Sequence, residues 1–510
     1  MIKHPVSLTR WLAVSLLLLA GLHSSFALNL PRVFSDHMVL QRDAPVKIWG
    51  WANPGKDVTV TFADQKKTVR AGKDGKWMAT LDSMPARFEP DSLLVNSGDE
   101  NVTIKNILVG EVWICSGQSN MEWTLGGTDN AKEAIANANY PLIRQFKVTH
   151  VTNVKPQRDL PGAWKICSPE TANNFTGVGY HFGLDLHRAL NGVPIGLINT
   201  SWGGTRIEPW TDPLGFNVSP KLKGITEQIK KANQKNRNNV ATYLDRLDAW
   251  SKECRDALAN NKDLPAYPGG LPNHPLNKAN LPTAIYHAMI APLVPYSIRG
   301  AIWYQGESNN GEGMQYFEKM KALIGSWRRL WDQGDFPFLF VQLAPYKYNR
   351  PDALPGIWEA QLASLTIPNT GMAVITDIGN VADIHPRNKK EVGRRLSLWA
   401  LADTYGKKDL VYSGPLYDSV EFKGKLAFLK FHHAQGLKSM DDNPLNWFTI
   451  AGPDKEFYKA TVEIQDDTLV VSSDQVTNPQ SVRFGWNELA EPNFANGADL
   501  PASPFRTDSW

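Results

Sequence analysis

A serine hydroxyl is a weak nucleophile and carries acyl chemistry only beside a general base and donors for the developing oxyanion. Ser119 lies at the end of an apolar run in "WICSGQSNMEW", residues 113–123, and is the candidate nucleophile. Of the 11 histidines, His385 in "DIGNVADIHPRNKK" (377–390) sits just past an apolar run and just before a helical pattern, which suits a base. Asp383, two residues earlier, can bring a carboxylate to the imidazole in a turn. Three donors are on offer for an oxyanion. They are the backbone N–H of Ser119, a backbone N–H of the Gly203–Gly204 pair in "NTSWGGTRIEPW" (199–210), and the Gln305 amide in "WYQGESNN" (303–310). Losing one such donor costs about 3–4 kcal/mol of transition-state stabilisation. Taken singly, each piece is what an ordinary turn or helix cap contains. Together, four polar turns at the ends of apolar strands make a hydrolase set. The Ser119 turn lacks the G-x-S-x-G elbow, so an ordinary α/β-hydrolase is disfavoured.

The elements that must hold these turns read as α/β, with β regions at both ends. Residues 28–106 carry short, partly alternating runs broken by Pro-Gly, Asp-Gly and Gly-Asp turns, and are expected to form a β-sandwich. Residues 107–405 alternate apolar strands with amphipathic helices, which calls for a parallel sheet. In such sheets the working crevice lies at the carboxyl ends of the strands. Val178, Phe182, Leu186 and Leu190 share one helix face. Asn388 and Glu391 are spaced as an N-cap box ahead of Val392, Leu396 and Trp399. Residues 213–280, polar and rich in Lys and Asn, read as an inserted helical excursion or lid, and residues 406–510 return to β.

The blocks "GQSNM", "SWGGT", "WYQGESN" and "DIHPRNK" resemble those of the SGNH hydrolases, and most of all the sialate O-acetylesterase branch with its bacterial carbohydrate-esterase relatives. "LPRVFSDHMVLQRDAPVKIWGWANPG" and "LPASPFRTD" are similar to that branch's opening and closing segments, so the likeness covers almost the whole chain after residue 27. It implies a flavodoxin-like three-layer α/β/α domain and removal of O-acetyl groups from sugars. By the same resemblance Ser119 is the nucleophile, His385 the base, Gly203–Gly204 the oxyanion block and Gln305 the stand-in for its usual Asn. Two positions depart from the pattern. Ala382 stands where the broad family has Asp, leaving Asp383, Asp377, Glu307 or a backbone carbonyl to orient His385. His287 stands where relatives have Asn, as a substrate-side group or a packed side chain.

The 18 tryptophans suit sugars as well as cores. Trp123 and Trp210 follow the candidate turns and are expected to stack on sugar rings, whereas Trp303 in an apolar strand reads as core. Arg206 can hold an acidic sugar's carboxylate or pair with Glu208 or Asp212, and Glu307 is a further candidate contact. Sialic acids and acetylated plant polysaccharides such as hemicelluloses are the competing substrates. A non-catalytic glycan-binding protein and an esterase of broader acyl range are the rival functions. The chemistry calls for no metal or organic cofactor, and three scattered cysteines do not make a zinc site. Lys3 and Arg10 precede "WLAVSLLLLAGL" and a small-residue stretch, the pattern of a secretory signal cleaved after Ala27. That run is too short to span a bilayer, so the expected location is secreted or periplasmic, without stable membrane insertion. Removing it leaves the chain nearly neutral, with no electrostatic footprint for nucleic acid.

Overall fold

A computed structural model describes residues 27–510. The expected signal segment, apart from Ala27, lies outside the described residues. The centre is a sheet of seven strands: β1 (Glu100–Gly117), β2 (Tyr140–Val148), β3 (Gly162–Cys167), β4 (Ile195–Asn199), β5 (Gly300–Tyr304), β6 (Phe338–Val341) and β7 (Thr370–Ala373). Their order is β7-β6-β5-β1-β4-β2-β3, parallel throughout except for β3, which runs antiparallel to β2. Every residue of β4, β5 and β6 is buried, as strands covered on both faces must be. After β1 the chain builds one side of the sheet and then crosses to the other. The order therefore reverses at β1, and a crevice opens at its carboxyl end.

The helices follow from the same logic. One layer holds α2 (Gly177–Ala189) and α6 (Lys389–Trp399), packed against each other; the opposite layer holds α4 (Gln315–Trp331) and α5 (Ala353–Ala363). Val178, Phe182 and Leu186 of α2 are buried, as are Val392, Leu396 and Trp399 of α6. Asn388 caps α6 by accepting from the Glu391 N–H at 3.1 Å. The expected helical excursion contains a 37-residue helix, α3 (Lys223–Ala259), of which only Tyr243 and Ala257 are buried. Its return segment is tied back to it by Tyr243–Tyr267 and by Trp250 donating to the Pro265 carbonyl. The β2–β3 pair is an addition that the sequence pattern does not announce.

β1 has 18 residues and serves two regions. Its first part pairs antiparallel with Arg87–Ser97 in the N-terminal β region, and its second part enters the parallel sheet. Both parts share one continuous hydrophobic core. The C-terminal β region, two four-stranded antiparallel sheets with a two-stranded ribbon, has a separate core around Leu429, Ile450, Phe484 and Phe505. No helix among the described residues is long and apolar enough to cross a membrane.

Candidate active site

Ser119 opens a single helical turn, α1 (Ser119–Glu122), directly after β1. The turn depends on Gly117, whose φ of 129° is in the glycine-favouring region and where a Cβ would lie 2.2 Å from the Tyr304 carbonyl oxygen. Neighbouring strand ends brace it: Gln118 N–H donates to Tyr304 O at 2.9 Å and Trp202 N–H to Gly117 O at 3.0 Å. Across the crevice, the segment after β7 brings His385 Nε2 to 2.9 Å from Ser119 Oγ, although 266 positions separate them in sequence. With Nδ1 protonated, Nε2 accepts the serine proton.

Asp383 is the carboxylate nearest the far side of the ring. Its Oδ1 accepts the His385 backbone N–H at 2.9 Å and lies 3.7 Å from Nδ1, just beyond a hydrogen bond. Asp377 is held in a bidentate pair by Arg395, at 2.6 Å on each oxygen, and does not face the imidazole. Trp123 stacks on the His385 ring at 4.9 Å between centroids, with the Arg387 guanidinium 5.1 Å from its own ring. Burial first, and then the Lys389 charge, lower the affinity of His385 for a proton, with Asp383 opposing.

Several expected contacts are corrected by the geometry. The Gln305 amide is spent internally: Nε2 donates to Thr205 O and Asn309 Oδ1, and Oε1 accepts from Tyr316. It braces the turns and is not free to meet an oxyanion. The Gly203 N–H is likewise committed, to Glu122 Oε2 at 2.7 Å. Gly204, exposed and at φ 70°, has no partner for its N–H among the described residues, and neither does Ser119, a first-turn residue. Trp210 is fully buried and donates to Thr205 Oγ1, so it cannot stack on a sugar. Trp303 is core, as expected. Arg206 pairs with Glu208 and Glu312, not Asp212, which Arg329 takes. His287 is packed rather than substrate-facing: it is buried against Tyr286 with Nδ1 unpartnered, and burial pushes its pKa down to about 4.

Glu307 neither orients His385 nor faces the crevice. Its Oε1 accepts from Asn120 Nδ2 at 2.6 Å and its Oε2 is buried without a partner, so burial raises its pKa. Asn120 also donates to Ile384 O at 3.0 Å and accepts from Lys389 Nζ at 2.5 Å. It thus ties the residue after the serine to the residue before the histidine. Lys389 is completely buried, which pushes its pKa down to about 7 despite the opposing Glu307 and Asp383 charges. A second acid–imidazole pair flanks the serine: Glu122 Oε1 meets His150 Nε2 at 2.9 Å, and the His150 ring stacks on Trp202 at 4.3 Å. Asn120 and Lys389 stand inside the sequence blocks and Glu122 just past the first of them, where their polar type after a strand was the available signal. His150 stands in no block.

The family profile described as "Carbohydrate esterase, sialic acid-specific acetylesterase" matches residues 109–280 and 279–398. The sialate O-acetylesterase of Mus musculus is 30% identical over 80% of this chain and 79% of its own length. That of Homo sapiens is 29% identical over 97% of this chain and 95% of its own. The crystal structure of XAC1771, a carbohydrate acetylesterase from Xanthomonas citri, superposes with a TM-score of 0.81 at 36% identity, covering 95% of this chain and all of that one. A profile spanning more than half of the sequence, with relatives aligned along most of it, makes the chain an acetylesterase that belongs to the sialic acid-specific acetylesterase family of carbohydrate esterases.

Proposed function

We propose that the chain removes O-acetyl groups from sugars through an acetyl-serine intermediate. The observation that carries this reading is the 2.9 Å contact between His385 Nε2 and Ser119 Oγ. His385 takes the Ser119 proton as Oγ attacks the acetyl carbonyl, and Asp383 favours the imidazolium that forms. The N–H groups of Ser119 and Gly204 are the oxyanion donors, with Gly203 and Gln305 holding the turn rather than donating. The protonated His385 gives its proton to the departing sugar oxygen. It then activates water, which releases acetate and restores Ser119. Acetylated sialic acid is the favoured substrate, supported by the family description and by the names of the mammalian relatives. Hemicellulose is the second reading. A secreted or periplasmic location rests on the leader pattern of residues 1–27.

The test is acetate release from an aryl acetate and an aryl butyrate, by the parent protein and by Ser119→Ala. The expected result is preference for acetate and a loss of at least about 10³-fold in Ser119→Ala, the scale seen when a serine nucleophile is removed. Full activity in Ser119→Ala ends the serine mechanism. Equal rates on butyrate favour a broader esterase. Asp383→Asn is expected to lose less than His385→Ala; if it is silent, the imidazole is oriented by another group.

A further inference from the structure

We propose a second glycan-binding site in the N-terminal β region, specific for a carboxylated sugar and separate from the Ser119–His385 crevice. The strands Val46–Trp51 and Lys76–Leu81 pair antiparallel, with Trp49 opposite Met78 and Trp51 opposite Lys76. Alternation therefore puts these four side chains on one face of the ribbon. That face lines an open groove of 680 Å³, flanked by Arg70, by the segment carrying Gln157 and Arg158, and by Pro292, Val294 and Pro295. The volume fits one or two sugar rings within the range of small-ligand pockets.

The lining has the chemistry of such a ligand. Trp49 is half-buried and Met78 is 49% exposed, which leaves an apolar aromatic surface open to solvent where a pyranose C–H face can be buried. Trp51 is buried in the wall beside it, its indole N–H without a partner among the described residues. The Arg158 guanidinium lies 5.7 Å from the Trp51 ring, and among the described residues Arg70 donates to the Gly55 carbonyl alone. Neither arginine has a carboxylate within ion-pair distance among the described residues, whereas the nearby Asp74 is taken by Lys76. Two unpaired guanidiniums beside an aromatic floor suit a carboxylate, which guanidinium binds in bidentate fashion.

The groove is also within reach of the catalytic crevice. The segment that starts at His150, stacked on Trp202 beside the serine turn, arrives eight residues later at Arg158 on the groove wall. Eight extended residues span at most about 29 Å. One glycan chain can therefore occupy both sites, and the second contact raises the effective concentration of the first. The inference rests on the acetylated-glycan reading for its ligand, but not on the serine mechanism.

The test uses two probes. The Ser119→Ala protein is titrated against an immobilised sialyllactose polymer, alone and carrying Trp49→Ala or Arg158→Glu. The otherwise unaltered enzyme carrying Arg158→Glu is assayed on an O-acetylated sialoglycan polymer and on an aryl acetate. The expected result is binding weakened about 10-fold by either substitution, and KM on the polymer raised about 5-fold with kcat unchanged, as loss of a second attachment point demands. Arg158 is exposed, so its variant folds even if Trp49→Ala does not. The aryl acetate rate is expected to stay the same. Unchanged binding and unchanged polymer KM in Arg158→Glu overturn the proposal. So does equal retention of neutral acetylated xylan, which would remove the carboxylate from the recognition. Retained aryl acetate turnover in Ser119→Ala would instead strike the serine mechanism and leave the binding result standing.

Discussion

Whether His385 can act as a base depends on its being neutral, and its surroundings favour that form. Burial acts first and the Lys389 ammonium second, both resisting a proton on the ring, while Asp383 works against them. A lowered pKa keeps the imidazole neutral to lower pH. The acid limb of kcat/KM is therefore expected below the ordinary histidine value of about 6.5. Lys389→Met removes a cation, raises the proton affinity of His385 and is expected to move that limb upward; a pH–rate profile on an aryl acetate reads it. A limb that stays put would mean that Lys389 serves only Asn120. Glu122 is open to a similar test. Its carboxylate fixes the Gly203 N–H and so aims the adjoining Gly204. Glu122→Ala is expected to lower kcat about 10- to 100-fold with little change in KM, and Glu122→Gln, which keeps an acceptor, to recover most of it. Equal losses in both variants would count against this positioning role. The contact between Ser119 and His385 was legible in the sequence only through the conjunction of four polar turns at strand ends and the family's blocks, since either residue alone is ordinary turn or cap chemistry. The allocation of donors was not. A glutamine or a glycine N–H looks free until the fold shows what else it touches, as Thr205 and Asn309 do for Gln305 and Glu122 does for Gly203.

Between elements, the contact of α2 with α6 sets where the histidine segment sits, since α6 begins four residues after His385. The two helices approach closely at Gly393, where a Cβ would lie 2.8 Å from Phe182 N and 2.9 Å from Val178 O. Backbone cannot step aside as a side chain can. Gly393→Val is expected to cost about 1–3 kcal/mol, as overpacked interfaces do, and to lower kcat together with the thermal midpoint. A midpoint equal to the parent's would mean that the helices slide apart freely. Beside this contact His181 is buried, and burial, with Lys390 and Arg188 next, pushes its pKa down to about 4. The unfolded chain takes that proton near pH 6.5, so stability is expected to fall as pH drops from about 6.5 to 4. His181→Gln should flatten that slope in thermal scans. Both helices were readable from their 3.6-residue periodicity and caps. The single strand running from residue 100 to residue 117 was not, because Asn106 and Gly110 look like turn residues. Within the strand Asn106 takes φ 57°, and Gly110 is required by the Pro194 carbonyl, 2.0 Å from where a Cβ would stand. The β2–β3 pair went unread for a related reason: its antiparallel edge carries no turn signal of the hairpin kind.

At the scale of the whole chain, the question is whether the C-terminal β region merely hangs from the enzyme or takes part in it. Its core is separate, which argues for the first. The hydrogen bonds argue for the second. Glu488 is only 3% exposed, and its carboxylate accepts the backbone N–H groups of Tyr348 and Arg350, at 3.0 and 3.1 Å. Its own backbone adds two more bonds, to Tyr346 and Pro351. The loop so held donates from Lys347 N–H to Val381 O at 3.0 Å, in the segment that carries Asp383 and His385. Hydrogen bonds joined by short stretches of backbone therefore link the C-terminal region to the segment that carries His385. Glu488→Ala would leave those N–H groups without an acceptor, at about 1–3 kcal/mol for each one that water cannot reach. The expected outcome is a lower thermal midpoint together with a several-fold lower kcat on an aryl acetate, measured well below that midpoint, with KM unchanged. Glu488→Gln, which keeps one acceptor oxygen, should fall between the two. A variant that is less stable yet turns over at the parent's rate would show that the loop's anchorage and the histidine's placement are independent, and the C-terminal region would then be a neighbour rather than a part of the machinery.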